Sequence, residues 1–352
     1  MTLNTAIPAQ AKWTFSTRRV NRDDVASLDP NVTYATAGDL VLCRITQLGQ
    51  HKKLQLSDQR YSLSYPGDVF VACVGDRYAP DQFEGRAELS PDGVDLIAGG
   101  GIVGLVETAH GRMNRPTQVQ PLGLLVDAAG EVMNVARYAM PHQTIPDDVT
   151  VLGVFGASMN AGKTTAAVSL AHGLARAGFN VAGIKATGTG AFGDFNAFMD
   201  AGVPVTDFTD AGMPTTYRMP MERIERGFET LVGNAAAQGA EIAVVEIADG
   251  VFQRETSAIL EGSPILKRMD GLMFAAPDAL GSVGGVQVLQ SYGVRPMAVS
   301  GMVTCSPLAT REAMRATGVP HLSRAELCDP VKVMSLVSPL MRRAGLLQKT
   351  AA

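Results

Sequence analysis

The spacing of hydrophobic positions changes partway along the chain. Before about residue 140, apolar residues form short runs separated by turn residues, a pattern typical of β-strands. These runs are Asp39–Ile45, Leu54–Leu63, Asp68–Val74, Val94–Ala98, Ile102–Val106 and Leu122–Val126. Short strands with few helical stretches predict a small β-rich domain, a barrel or a sandwich, over residues 31–140. Residues 1–30 are polar and mixed, and we expect them to form a loosely attached arm.

From residue 150 onward, apolar strands alternate with helical segments, after a linker at 141–149 that carries two prolines. The predicted strands are Val151–Phe155, Asn180–Lys185, Ile242–Ile247, Gly271–Ala275 and Pro296–Val303, and the predicted helices are Thr164–Ala177, Met221–Gln238 and Val283–Tyr292. Such alternation predicts a mainly parallel sheet covered on both faces. The predicted fold class is α/β over residues 150–330, with a C-terminal helix or tail at 331–352.

A Gly-rich turn joins the first of these strands to the first helix. Residues 151–165 read VLGVFGASMNAGKTT, a P-loop of the form [AG]-x4-GK[ST]. Small residues let backbone N–H groups turn inward around a phosphate, and the following helix adds the positive end of its dipole. We therefore predict a P-loop NTPase domain here. Its predicted ligand contacts are Ala157, Ser158, Asn160, Ala161, Gly162, Lys163, Thr164 and Thr165.

Composition narrows the functional classes. A net charge of −4 and a pI near 5.8 disfavour general nucleic-acid binding, which needs a basic surface. No apolar run approaches the roughly 18 residues of a membrane span, and the first residues lack a secretory signal pattern. The four cysteines and five histidines are scattered, so they predict neither a zinc site nor a disulfide framework. We expect a cytoplasmic protein that acts on a small molecule and binds neither nucleic acid nor membrane.

Two further strand ends carry charged residues that belong with the P-loop. The second predicted strand ends at Lys185 and continues as ATGTG, so its ammonium group is expected near the phosphates. The strand Ile242–Ile247 carries Glu246, followed by Asp249. An acidic residue that ends a buried strand is where P-loop proteins place the carboxylate that supports Mg²⁺. We predict Thr164 and Glu246 as metal ligands, with Asp249 as a substitute.

The order of these motifs resembles dethiobiotin synthetase and its relatives, among them the ATP-dependent amidating synthases of cobyrinate biosynthesis. GASMNAGKT, KATGTG and VEIADG stand where that group has approximately G-T-x-x-x-x-G-K-T, K-P-V-x-T-G and V-E-G-A-G-G. The resemblance covers about residues 150–305. It implies that Lys163 and Lys185 contact phosphates or a developing acyl phosphate, and that Thr164 and Glu246 hold Mg²⁺. By analogy with such enzymes, the chain is expected to form a homo-oligomer, with a homodimer as the simplest case.

A second resemblance covers Gly202–Tyr217, GVPVTDFTDAGMPTTY. It is similar to a family of P-loop proteins, some of whose members are N-acetyltransferases acting on D-amino acids. Asp207 and Asp210 lie three residues apart and would face one way on a helix. Each could be a second metal carboxylate, an anchor for a substrate amine or a solvated loop acid. Asp194 is a further candidate for these roles.

Weaker signals concern the base and the substrate. The guanine-reading N-K-x-D motif is missing from the segment after Pro296–Val303, which favours adenine. The extra lysine of partition-type ATPases is also missing from the start of the P-loop, which disfavours a switch protein of that type. Candidate substrate contacts are Arg77, Asp81, Thr187 and Thr189. The glycines at 99–101 could let the backbone approach a ligand, or they and the Arg77 turn could be purely structural.

Three functional hypotheses follow. The leading one is an ATP- and Mg²⁺-dependent ligase, synthetase or phosphotransferase that activates a small carboxylate or similar acceptor, with Lys163, Lys185, Asp207 and Asp210 as its catalytic residues. An acyltransferase that holds the phosphates of acetyl-CoA in the P-loop is the alternative. A regulatory or maturation NTPase whose β-rich domain binds a partner protein is the third.

Overall fold

The computed structural model describes residue 8 and residues 10–341, and the chain divides into two compact units. We call the first the barrel unit: residues up to Met140 together with two later segments, Gly188–Gly193 and Phe208–Met219. The second, the P-loop unit, contains Pro141–Thr187, Asp194–Asp207 and the chain from Pro220 onward. Each unit is described by itself.

Among its described residues, the barrel unit has ten short strands and three 3₁₀ helices. The strands are β1 (Lys12–Trp13), β2 (Ser27–Asp29), β3 (Leu40–Gln47), β4 (Lys53–Gln55), β5 (Tyr61–Leu63), β6 (Val69–Val74), β7 (Phe83–Arg86), β8 (Val94–Ala98), β9 (Ile102–Ala109) and β10 (Thr117–Val126). The 3₁₀ helices are Phe15–Thr17, Arg22–Asp24 and Val135–Tyr138.

The strand pairings of this unit close into a ring. Strands β6, β3, β10, β8 and β9 pair in that order, and β9 pairs again with β6, so these five strands leave no open edge among them. Side chains on both faces are buried: Val41 and Cys43 of β3 lie in one apolar cluster, and Leu40 and Leu42 lie in the other. Burial on two faces explains why DLVLCRI and DVFVACV are continuously apolar rather than alternating.

Residues 10–30 differ from the loosely attached arm predicted from their mixed composition. Strand β1 pairs with β6, and β2 pairs with β10. Trp13 and Phe15 are buried, and Trp13 packs in the same apolar cluster as Leu40 and Leu42 of β3. A few apolar side chains at the right register are therefore enough to bind an otherwise polar segment to a sheet.

The two later segments of the barrel unit pair with each other. Gly190 N–H donates to the Pro214 carbonyl at 3.0 Å, and Thr216 N–H donates to the Gly188 carbonyl at 2.9 Å. A Cβ at Gly100 would overlap with the Gly190 carbonyl. The glycines at 99–101 thus let the chain pack closely on itself, which is the structural role considered for them above.

The P-loop unit contains six parallel strands and nine helices within the described residues. Its strands are β11 (Thr150–Gly156), β12 (Val181–Lys185), β13 (Val205–Asp207), β14 (Ile242–Glu246), β15 (Gly271–Ala275) and β16 (Ala298–Ser300). Its helices are α1 (Lys163–Arg176), α2 (Phe192–Asp200, which begins in the barrel unit), α3 (Met221–Ala237), α4 (Arg254–Leu260), α5 (Pro264–Arg268), α6 (Ala279–Ser291), α7 (Pro307–Thr317), α8 (Arg324–Leu327) and α9 (Pro330–Val337), with 3₁₀ helices at Met302–Cys305 and Ser338–Leu340.

The sheet order is β13-β12-β14-β11-β15-β16, and every neighbouring pair is parallel. All residues of β11 are buried, as expected for a central strand covered on both faces. Parallel strands bring their carboxyl ends to one edge, where open α/β sheets bind ligands. The P-loop follows β11 at this edge.

Two predicted segments of this unit differ from the structure. The predicted strand Pro296–Val303 is reduced to β16, because Gly301 adopts a φ of +95° and a 3₁₀ helix follows. The predicted tail at 331–352 begins with residues of α9, whose Val333 and Val337 are buried in the core against α1. Residues 342–352 lie outside the described part. No helix within residues 10–341 combines the length and apolar character that crossing a bilayer requires.

Leucines on two helices of the P-loop unit provide a matched test of this core. Leu170 on α1 is fully buried, whereas Leu280 on α6 is 81% exposed. We expect Leu170→Ala to lower the free energy of unfolding by about 2–5 kcal/mol, because it removes buried methyl groups and leaves a cavity. Leu280→Ala should change it by no more than about 0.5 kcal/mol. Chemical denaturation measures both; equal losses would contradict the described packing.

Candidate phosphate and metal site

The P-loop is held in place by main-chain hydrogen bonds to the ends of neighbouring strands. Ala157 N–H donates to the Ala275 carbonyl at the end of β15, at 2.9 Å. Met302 N–H, just after β16, donates to the Ala161 carbonyl at 3.1 Å. Val251 N–H, in the loop after β14, donates to the Gly156 carbonyl at 3.1 Å. Main-chain groups at the ends of three other strands therefore brace the P-loop.

Two glycines outside the motif permit this bracing. Gly301 has a φ of +95°, and a Cβ there would overlap with the Ala161 carbonyl. A Cβ at Gly250 would likewise overlap with the Ala157 carbonyl. Within the loop, Asn160 and Gly162 have φ values of +64° and +97°, and such left-handed residues turn successive N–H groups toward a concave anion site.

Lys163 lies at the start of α1 with only 6% of its surface exposed. Its Nζ donates to the Ser158 carbonyl at 2.8 Å, so the side chain runs back along the loop. Burial lowers the pKa of Lys163, while the nearby carboxylates of Glu246 and Asp249 act in the opposite direction. The ammonium group is thus held in the loop, close to acidic residues.

Thr164 lies between two carboxylates. Its Oγ1 is 2.9 Å from Asp194 Oδ1 and 3.0 Å from Glu246 Oε1. A hydroxyl has one hydrogen to donate, so it cannot satisfy both acceptors fully at once. Glu246 is 2% exposed, and its Oε2 has no hydrogen-bond partner among the described residues. The carboxylate oxygens around Thr164 thus outnumber the hydrogens that the described residues can donate to them.

Lys185 completes the group at the end of β12. Its ammonium forms an ion pair with Asp194 Oδ2. In the sheet register, Lys185 lies opposite Glu246 of β14 on one side and Asp207 of β13 on the other. Three charged residues are thus level with each other along the carboxyl edge of the sheet.

The donor atoms fit a hard divalent cation. Two carboxylates and one hydroxyl converge at Thr164, and Mg²⁺ in proteins is typically bound through one or two carboxylates with water and phosphate oxygens completing the shell. Within the described residues there is no group of three or more His, Cys, Asp or Glu side chains that could bind a metal alone. The unpartnered Glu246 Oε2 fits a cation that arrives together with a phosphate ligand.

The other predicted site residues of the P-loop unit lie in the P-loop and in the loops that follow β12 and β14. The Thr187 hydroxyl accepts from Ala248 N–H at 2.8 Å, which ties the loop after β12 to the loop after β14. Asp249 lies in that second loop, half-buried, with a φ of +63°. Thr165 and Ser158 are exposed at the P-loop. Thr187 thus helps to position the two loops, and its role as a substrate contact stays a prediction.

Asp207 and Asp210 are not on one face of a helix. Asp207 ends β13 in the P-loop unit, whereas Asp210 lies in a turn of the barrel unit. Asp210 forms an ion pair with Arg18 at 2.5 Å, and Arg19 lies 3.8 Å from its other oxygen. The two carboxylates therefore do not share one face of a helix, because Asp207 ends a strand and Asp210 lies in a turn; the individual roles considered for them stay predictions.

Arg77, Asp81 and Thr189 belong to the barrel unit. Arg77 is buried and donates to the Ile97 carbonyl and, at 2.9 Å, to Gln82 Oε1. Thr189 forms an isolated β-bridge with Thr215. These contacts give Arg77 and Thr189 structural roles within their unit.

The structure brings together Lys163, Thr164, Lys185, Asp194 and Glu246. Sequence patterns singled out all of them, but Asp194 only as a further candidate without a defined partner. The bracing roles of Gly250 and Gly301 were missed. Their position just after β14 and β16 was the available signal, since glycines at strand ends often permit close backbone approach.

Gly301 and Gly284 offer a matched pair for testing the bracing. Gly301→Ala should destabilise the protein by about 1–3 kcal/mol, because main-chain atoms surround the new Cβ and φ is positive. It should also weaken binding of inorganic pyrophosphate by about tenfold or more, since Ala161 must shift. Gly284→Ala in α6 meets nothing within 4 Å and should raise helix stability by about 0.5–1 kcal/mol. Thermal unfolding measures the stability of the two variants, and calorimetric titration measures their binding of pyrophosphate. Unchanged binding in Gly301→Ala would contradict the bracing role.

No protein-family model and no curated protein matches the chain. Among solved structures, it is similar to the signal recognition particle 54 kDa protein from Aeropyrum pernix K1 in complex with GDP, with a TM-score of 0.36 and 17% identity over 58% of this chain and 53% of that one. It is also similar to the signal recognition particle receptor FtsY from Elizabethkingia anophelis (TM-score 0.33, 15% identity, 57% of this chain and 58% of that one) and to the same receptor in complex with GDP (TM-score 0.32, 16% identity, 56% and 67%). The chain thus spans little more than half the length of the first two.

Proposed function

We propose that the protein is a Mg²⁺- and ATP-dependent enzyme that transfers a phosphoryl group to a small carboxylate or similar acceptor. One observation supports this most strongly: Thr164, at the end of a braced P-loop, lies within 3.0 Å of both Asp194 and Glu246. A P-loop binds phosphates, and hard oxygen donors beside it bind the cation that accompanies a nucleoside triphosphate.

The charges of the site favour a metal-bound nucleotide over a bare polyanion. Lys163 and Lys185 contribute two positive charges, whereas Asp194, Glu246 and Asp249 contribute three negative ones. A polyphosphate without a cation would meet a net negative group, and repulsion is strong where water is largely excluded. A divalent cation reverses the sign of the site. The phosphates of acetyl-CoA, which need no metal, fit this arrangement less well.

The chain's own residues can perform most of the electrostatic work. The P-loop amides and Lys163 would hold the outer phosphates, and Lys185 would supply a second positive charge at the same edge of the sheet. Bound Mg²⁺ would neutralise charge on the phosphoryl oxygens, held by Thr164 and Glu246 together with Asp194. Preorganised charges of this kind stabilise the transition state of phosphoryl transfer without a covalent intermediate on the protein.

Adenine is the base that we assign. The segment 301–310, braced against the P-loop at Ala161, contains no acidic residue to accept the N–H groups of guanine. The hydroxyls of Thr304 and Ser306 are used locally, by donation to the Gly301 carbonyl and acceptance from Ala309 N–H. Main-chain groups and the exposed side chain of Met302 are left to contact a purine.

The nature of the acceptor rests on the likeness of KATGTG and VEIADG to the motifs of dethiobiotin synthetase and its relatives. Lys185 lies at the phosphate edge, where its charge would stabilise a carboxylate that attacks the phosphoryl group or the acyl phosphate that forms. A ligase or synthetase would then use the acyl phosphate for C–N bond formation, and a kinase-like enzyme would release it.

Lys163→Ala tests the proposal. We expect it to abolish turnover and to weaken ATP binding in Mg²⁺ by about 10- to 150-fold, because it removes a buried charge-assisted contact with the phosphates. Thermal unfolding without ligand should show that the variant remains folded. Lys332→Ala, which removes an exposed lysine of α9, serves as the control and should behave as wild type.

Ligand titrations separate the alternatives. Stabilisation of the wild type by ATP that is lost in EDTA supports the proposal. Stabilisation by acetyl-CoA alone, independent of Mg²⁺, would instead indicate an acyltransferase. Slow ATP hydrolysis that responds to a protein partner and to no small acceptor would indicate a regulatory NTPase.

A further inference from the structure

Asp194 is engaged on both of its carboxylate oxygens, and its two contacts belong to different parts of the phosphate site. Oδ1 lies 2.9 Å from Thr164 Oγ1, and Oδ2 is ion-paired with Lys185. Resting on the function proposed above, we propose that Asp194 holds Lys185 as its counter-ion until a divalent cation binds. Binding of the cation then releases Lys185 to the phosphates. Asp194 is thus a positioning residue that makes nucleotide binding depend on Mg²⁺.

The first step of the argument is the pairing of Lys185. Only 11% of its side chain is exposed, so its ammonium has limited access to water, and Asp194 compensates its charge. An ammonium that is neutralised in this way attracts a phosphate much less than an uncompensated one does. Without a cation, Lys185 is therefore present at the site but largely unavailable to a ligand.

The second step is the shortage of hydrogens around Thr164. One hydroxyl hydrogen faces two carboxylate oxygens, and Glu246 Oε2 has no partner in the described part of the chain. A cation beside Thr164 would supply positive charge to Asp194 and Glu246 together. The attraction of Asp194 for Lys185 then weakens, because the carboxylate charge is shared with the cation.

The third step identifies Asp194 as the group that can change partners. Its side chain is 31% exposed and lies on helix α2, outside the sheet. Glu246, by contrast, is 2% exposed and ends a central strand that is paired on both sides. A partly exposed residue on a helix can reorient more easily than a buried residue in a sheet.

The consequence is that the binding of the cation and the binding of the nucleotide are thermodynamically coupled, in addition to any direct contact between the two ligands. If the cation frees Lys185 for the phosphates, the nucleotide must in turn strengthen cation binding by the same factor. The protein would then discriminate against metal-free nucleotide by sequestering its own lysine.

Asp194→Asn tests this inference through binding rather than activity. The amide keeps the shape of the side chain but cannot neutralise Lys185. We expect ATP in EDTA to bind the variant about tenfold more tightly than it binds the wild type, because a carboxylate is removed and Lys185 is released. The factor by which Mg²⁺ increases the affinity for ATP should be smaller in the variant than in the wild type. Calorimetric titration of ATP, with Mg²⁺ and with EDTA, measures both effects.

A double-mutant cycle with Lys185→Gln distinguishes release of the lysine from simple loss of repulsion. If Asp194 acts through Lys185, the improvement in metal-free ATP binding caused by Asp194→Asn should be clearly smaller in the Lys185→Gln background, where only the repulsion by the carboxylate is removed. An equal improvement in both backgrounds would overturn the inference. Asp200→Asn, an exposed acid at the end of the same helix, is the matched control and should leave both affinities unchanged.

The remaining outcomes are separable. Unchanged or weaker ATP binding in EDTA for a folded Asp194→Asn overturns the inference, while Mg²⁺-dependent ATP binding by the wild type leaves the proposed function in place. A wild type that fails to bind ATP in Mg²⁺ overturns the proposed function, and this inference with it. Thermal unfolding of each variant without ligand establishes that it is folded.

Discussion

Two carboxylates facing one hydroxyl hydrogen dominate the chemistry of the P-loop unit. Asp194 and Glu246 both lie within 3.0 Å of Thr164 Oγ1, and the buried Glu246 Oε2 has no partner in the described residues. Acceptor oxygens without donors are unfavourable inside a protein unless a cation or a hydrogen-bond donor approaches them. The neighbouring lysines compensate this charge only in part. The described residues therefore leave part of the hydrogen-bonding capacity of these carboxylates unused.

The parallel sheet is what brings these groups together. Thr164 follows β11, Lys185 ends β12 and Glu246 ends β14, and these strands are neighbours in the sheet. Because they run in the same direction, residues far apart in sequence meet at one edge. Main-chain bonds from the loops after β14 and β16 and from the end of β15 then fix the P-loop, and Gly250 and Gly301 allow that approach. The loop shape thus depends on three other strands.

The barrel unit is linked to this edge through the chain itself. The segment Gly188–Gly193 lies between Lys185 and Asp194 in sequence, and the segment Phe208–Met219 begins directly after Asp207. Both segments belong to the barrel unit, where they are hydrogen-bonded to each other. The Lys185–Asp194 ion pair therefore joins the two ends of a chain segment whose residues 188–193 are grouped with the barrel unit.

Local patterns along the chain were sufficient to predict the strand–P-loop–helix unit, the parallel sheet and the strand-end positions of Lys185 and Glu246. Buried parallel strands are continuously apolar, and the P-loop has a fixed spacing that ends in Gly-Lys-Thr. They failed for residues 10–30 and for the spacing of Asp207 and Asp210. In the first case, pairing with distant strands outweighs a polar composition. In the second, a strand end and a turn replace the helix that the spacing requires.

Only the folded chain decides which of several acidic residues reaches Thr164, since the contact between Asp194 and Thr164 joins residues 30 positions apart. Distances of that kind depend on how the strands are ordered in the sheet, and no local pattern encodes that order.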